Sequence, residues 1–101
     1  METSTKLLPV VVTDWYSGKL LMLAYCDELC LNLTFHTGVA HYYSRSRQTI
    51  WVKGLSSGRL QLVQAVYRDC DGDALNFRVL VLGDGRVCHT RQVSCFHTRL
   101  W

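Results

Sequence analysis

Long apolar runs are missing from this 101-residue sequence. The longest, Leu20 to Cys26, falls far short of the roughly 20 residues a membrane-spanning helix requires. The run Leu7 to Val12 is short and broken by Pro9, so the start carries no signal-peptide core. An excess of charge of one sign is also lacking: 11 Lys and Arg against 8 Asp and Glu leave a net charge of +3. That balance suits an anionic small molecule and is too sparse for the basic stripe of a duplex-binding domain. Repeats, linkers and a second composition are absent. The expectation is one cytoplasmic domain over 1–101, with no membrane and no nucleic acid as partner.

What is present is globular. Hydrophobic residues make up 49% and charged residues 19%, yet a chain this short buries only roughly 60 to 65% of its unfolded surface, so a partner subunit would help it. The five cysteines, Cys26, Cys30, Cys70, Cys88 and Cys95, are odd in number. In a reducing compartment such groups read as metal or catalytic residues before disulfides. Cys26 and Cys30 read most simply as small buried side chains.

The pattern is mainly β with one short helix. Leu7–Thr13 and Leu20–Tyr25 flank the turn Tyr16-Ser17-Gly18-Lys19 as a hairpin. Asp27 suits an N-cap, Glu28 a first turn and Gly38 a C-terminal cap, which predicts a helix over Asp27–Thr37 with Leu29, Cys30, Leu33 and Thr37 as its stripe. Val39–Ser44, Thr49–Lys53, Arg59–Arg68 and Ala74–Leu82 read as strands. The phase slip at Leu62-Val63 marks a bulge or a strand buried on both faces. Residues 87–101 have no clear period.

Three constellations carry chemistry. In DCDGDAL, an extended backbone would put Asp69, Asp71 and Asp73 on one face and Cys70 on the other, hard oxygen ligands opposite a soft sulfur. A solvated acidic turn is the plain alternative. It is not an EF-hand loop, because Leu80 or Leu82 stands where the closing glutamate belongs. In CHTRQVSC, Cys88 and Cys95 are too far apart for a zinc knuckle, but with Cys70 they offer three thiolates. Catalytic zinc takes three protein ligands and leaves one position for water. His89 competes for that fourth position or serves as an acid or base. In HYYSRSRQTIWVKG, an extended strand would place His41, Arg45 and Arg47 on one face, where guanidinium forks suit phosphate and the aromatic residues suit a purine.

The ordered set AHYYSRSR, WVKGLSSG, RDCDGDAL and VCHTRQVSCF resembles the phosphoribosyl-AMP cyclohydrolase family of histidine biosynthesis, from about Leu20 to Phe96. The resemblance implies an intertwined, mainly β homodimer with its metal site at the subunit interface. It implies Cys70, Cys88 and Cys95 as zinc ligands and Asp69, Asp71 and Asp73 as magnesium ligands. It further implies hydrolytic opening of the adenine ring between N1 and C6 by a zinc-activated water. His89 would move protons, and Arg45, Arg47, Trp51, Lys53 and Ser57, with Tyr43, would contact the nucleotide. Arg91 replaces the glycine of the family's CHTG, and Arg59 stands where histidine or asparagine usually follows SSG. An inactive relative that only binds metal or nucleotide, and a structural zinc module on single-stranded nucleic acid, are the competing expectations. Ring-opening activity separates the first from an enzyme, and steep salt dependence would mark the second.

Overall fold

The computed structural model describes residues 6–90 and 92–101, so the Arg91 position lies outside the described residues. Six strands and one helix follow in chain order: β1 Leu8–Asp14, β2 Leu20–Cys26, α1 Glu28–Thr37, β3 His41–Ser44, β4 Thr49–Val52, β5 Gln61–Arg68 and β6 Leu75–Val81. Four strands form one sheet in the order β2-β1-β6-β5, while β3 and β4 pair as a separate hairpin. Within the larger sheet, β1 runs parallel to β6, and the other pairs are antiparallel.

Alternation builds the core. Val10 and Val12 of β1 are fully buried, as are Phe77 and Val79 of β6, while Val11 between them is 36% exposed. The register Val10↔Leu75 and Val12↔Phe77 sets these inward side chains shoulder to shoulder. Asp14 ends β1 by accepting from the backbone N–H groups of Ser17 and Tyr16 and from the Ser17 hydroxyl. The Ser17 backbone bond leads in holding its carboxyl below the usual range.

The helix is capped as its sequence predicts: Asp27 accepts from the Cys30 N–H at 2.8 Å, and Gly38 ends it at φ +76°. Its inner face differs from the expected stripe. Leu29 is 59% exposed and Thr37 is also outside, whereas Cys30 and Thr34 are buried. A polar contact sets that orientation: the Thr34 hydroxyl donates to the Cys30 carbonyl and accepts from the His41 N–H, both at 3.0 Å, and so satisfies the first donor of β3. The hydrogen bond with Cys26, together with burial, raises the Cys30 thiol far above its ordinary value. Cys30 therefore packs as a neutral side chain, and Cys26 is buried beside it.

Tyr42 ties the hairpin to the sheet. Its ring lies 5.4 Å from that of Trp51 and 5.8 Å from that of Phe77, and its hydroxyl donates to the Gln61 side-chain carbonyl. Burial pushes its phenol well above the ordinary value, which keeps it a donor. The expected phase slip in β5 is a bulge between Val63 and Ala65. Arg59, read as part of that strand, instead lies before it and grips Asp84 with two nitrogens, at 2.9 and 3.0 Å.

The last segment forms neither helix nor strand among its described residues, yet it is fastened. Ser94, 5% exposed, directs its hydroxyl at the carbonyls of Leu20 (2.7 Å) and Leu21 (3.2 Å) and accepts from the Phe96 N–H. The Cys95 N–H adds a bond to the Leu21 carbonyl at 2.7 Å. Ser94→Ala removes the donor to the Leu20 carbonyl and the acceptor of the Phe96 N–H, while the Leu21 carbonyl keeps the Cys95 N–H, and should lower stability by about 1 kcal/mol. Thermal unfolding checks this, and an unchanged midpoint would show that the strap is held elsewhere.

Candidate metal and nucleotide site

The CHT segment and the strap bring two cysteines together. The Val87 and Cys88 N–H groups donate to the Val93 and Gln92 carbonyls, which folds the segment back on itself. Cys88 and Cys95 then come within hydrogen-bonding contact. The Thr90 hydroxyl lies 3.0 Å from Cys88 Sγ. That hydroxyl, the Thr90 backbone, and contacts with His97 and Cys95 bring the Cys88 thiol down to about 6. Cys95 is raised instead, by desolvation and by the charge of Cys88, with Lys53 pulling the other way. A thiolate already favoured near neutral pH, beside a second sulfur and a lysine, is a donor set suited to a thiophilic cation.

The acidic segment is not the extended strand expected from alternation. Residues 69–74 turn between β5 and β6, closed by the Asp69 N–H to the Ala74 carbonyl at 2.9 Å and the Gly72 N–H to the Asp69 carbonyl at 2.8 Å. Gly72 at φ +74° makes the reversal possible. The turn cancels the two-faced arrangement: the ligand atoms of Asp69, Cys70 and Asp71 all lie within 4.8 Å of one another, and all three residues are exposed. Asp73 is exposed on the same turn and falls outside that group. Cys70 is thus gathered with carboxylates, and among the described residues no such close group joins it to Cys88 and Cys95 within one chain.

The arginine segment also turns. β3 stops at Ser44, and residues 45–48 are the hairpin loop, so His41, Arg45 and Arg47 do not share a strand face. The Ser44 hydroxyl accepts from the Arg47 N–H at 3.2 Å, a local bond that favours the turn over continued strand. Arg45 lies over the Tyr25 ring at 3.9 Å. Arg47 lines a groove of about 440 Å³ together with Tyr25, Tyr43 and Trp51. Lys53 is near enough to Cys95 for its charge to act on the thiol, and it is not among the residues lining that groove. The Ser57 hydroxyl accepts from the Arg59 N–H at 3.3 Å within the β4–β5 loop.

His89 is exposed, next to Cys88 on the CHT turn, with no hydrogen bond among the described residues. Two contributors carried no signal strong enough to find. Thr90 was legible only as a hydroxyl two residues from a cysteine. His97 lies in a segment without period, and its 3.4 Å approach to Thr90 depends on the Ser94 strap.

Comparison with known proteins places these residues in context. A model of the family described as phosphoribosyl-AMP cyclohydrolase matches residues 22–97. Curated relatives bearing that name are 51% identical over 94 residues, or 93% of this chain. They include the proteins of Brucella abortus (strain 2308), Brucella canis and Brucella anthropi, of which the match covers 79%, 68% and 67% respectively. The matched span runs from the second strand through both cysteines of the strap, which establishes that the chain belongs to the phosphoribosyl-AMP cyclohydrolase family.

Proposed function

We propose that this protein opens the adenine ring of phosphoribosyl-AMP by hydrolysis between N1 and C6, as a zinc-dependent homodimer that also uses magnesium, in cytoplasmic histidine biosynthesis. The observation that carries this reading is the Cys88–Cys95 pair, with the Thr90 hydroxyl against the Cys88 sulfur and that thiol lowered toward the thiolate form. Cys88, Cys95 and a third thiolate would hold zinc, which when bound acidifies a coordinated water into the neutral range. His89, beside Cys88, would take the proton from the water that adds to C6 and deliver it to N1 as the bond to C6 breaks. Tyr43 and Trp51 would flank the base, and Arg47, with Arg45 over the Tyr25 ring, would meet the phosphates. Asp69 and Asp71, with Asp73, would hold magnesium against the same phosphates.

The third thiolate in this reading is Cys70 of a second copy, because Cys70 clusters with its own chain's carboxylates. Surface character supports a partner. The outer sheet face exposes Leu23 at 49% and Tyr67 at 53%. A mainly apolar groove of about 620 Å³ lies between α1 and β5, lined by Leu31, Phe35, Val63 and Val66 among others. These exposed apolar surfaces are assigned in this reading to a second copy of the chain.

Mixing protein with phosphoribosyl-AMP, zinc and magnesium and following the ultraviolet change on ring opening tests the activity. No change would assign an inactive, nucleotide-binding member instead. Subunit sharing has its own test. Inactive Cys70→Ala and Cys95→Ala proteins, unfolded together and refolded, should regain about a quarter of wild-type activity, since half the dimers are mixed and each rebuilds one of two sites. A mixture as inactive as its components would place the whole site within one chain.

A further inference from the structure

Thr90 is positioned by more than its neighbour in sequence. Its Oγ1 lies 3.0 Å from Cys88 Sγ on one side and 3.4 Å from His97 Nε2 on the other. His97 also contacts the Cys88 sulfur. The direction of this chain follows from chemistry. A metal-ligating sulfur is a thiolate and donates nothing, so the Thr90 hydroxyl must donate to it. With its only proton spent, Thr90 Oγ1 can only accept from His97, which fixes the imidazole with its proton on Nε2.

We infer that His97 is a positioning residue for the metal site: through Thr90 and by its own contact it orients the Cys88 thiolate for the cation. The inference rests on the zinc reading above and deepens it by adding residues outside the cysteine set. Hydrogen bonds donated to a ligating sulfur fix its lone pairs and disperse part of its charge, so protons compete less well with the metal. The imidazole is brought to the sulfur by the strap, which Ser94 and the Cys95 N–H fasten to β2 three and two residues earlier. The strap after Cys95 thereby belongs to the metal site.

Zinc affinity, measured by competition with a chromophoric chelator on the full-length protein, tests this. His97→Phe should weaken binding by about 10- to 100-fold, the range for lost outer-shell partners. Thr90→Val should do the same, and the double variant should lose less than the product of the two single losses, because both residues act on the same sulfur. His97→Gln, whose amide can donate to the same oxygen, should recover most of the loss, and the cobalt-substituted protein should shift its sulfur-to-metal absorption in His97→Phe but not in His97→Gln. Affinities within twofold of wild type for His97→Phe would overturn the inference while leaving the zinc reading intact. Loss of an imidazole signature from the zinc X-ray absorption spectrum in His97→Phe would overturn it too, by making His97 a direct ligand. Failure of the wild-type protein to bind zinc at all would instead sink the zinc reading, and the inference with it.

Discussion

Cys95→Ala should lose zinc and turnover together. Cys95 is one of two sulfurs brought into contact by the fold of residues 87–95, and its backbone N–H anchors that segment to the Leu21 carbonyl at 2.7 Å. Alanine keeps that backbone bond, so the strap stays in place and only the sulfur is removed. Loss of a direct ligand should exceed the effect of lost outer-shell partners, so zinc affinity should fall by more than about 100-fold and ring-opening activity should drop to background. Metal analysis after dialysis, with circular dichroism to confirm an intact fold, measures both. A Cys95→Ala protein that keeps stoichiometric zinc and full activity would remove Cys95 from the site.

The second large effect is on stability. Gly54 sits at φ +86°, and a Cβ added there would lie 2.2 Å from both the carbonyl carbon and the oxygen of Arg59 and 2.6 Å from the Leu60 nitrogen. Backbone cannot step aside as a flexible side chain can. The left-handed conformation alone costs an L-residue about 1–2 kcal/mol, and overlap with the loop adds about 1–3 kcal/mol. Gly54→Ala should therefore lower the melting temperature by at least about 10 °C. Gly58 is the internal control: it has φ +80° but nothing within 4 Å of its missing Cβ. Its alanine variant should show the conformational strain alone. Equal losses in the two variants would show that the close approach of Arg59 to Gly54 is not a constraint.

The Gly54 contact bears on the site as well. The loop that crosses Gly54 begins at Lys53, whose charge partly opposes the rise of the Cys95 thiol, and continues to Arg59, whose paired bond with Asp84 joins it to the turn after β6. Arg59 thus acts as a brace between two loops. The pair is partly exposed, at 27% and 45% for the two side chains, so its contribution to stability is small. Its geometric effect is to fix where the β4–β5 loop ends.

How legible the molecule was depended on the range of the forces involved. Strand and helix existence follows from side-chain period and from caps that act within four residues, so β1, β2, β6 and the Asp27-to-Gly38 helix could be read along the chain. The family's four ordered motifs were equally visible. The strand limits at Ser44, Thr49 and Arg68 left residues 45–48 and 69–73 outside strands, as observed, but the shared faces that extended backbone would give these residues do not form, because local bonds such as Ser44 to Arg47 and Asp69 to Asp71 stabilise turns.

By itself, then, the sequence determined the mainly β architecture, the family and the residue types at hand for metal and phosphate. Only the tertiary structure decided which of them meet. Cys88 and Cys95 come together because the segment between them folds back and Ser94 fastens it to β2, 73 and 74 residues away in sequence. Cys70 is held apart from them with Asp69 and Asp71 because the β5–β6 turn reverses around Gly72. Period and propensity report on neighbours a few residues apart, whereas these encounters are set by sheet pairing and by buried carbonyls that need donors.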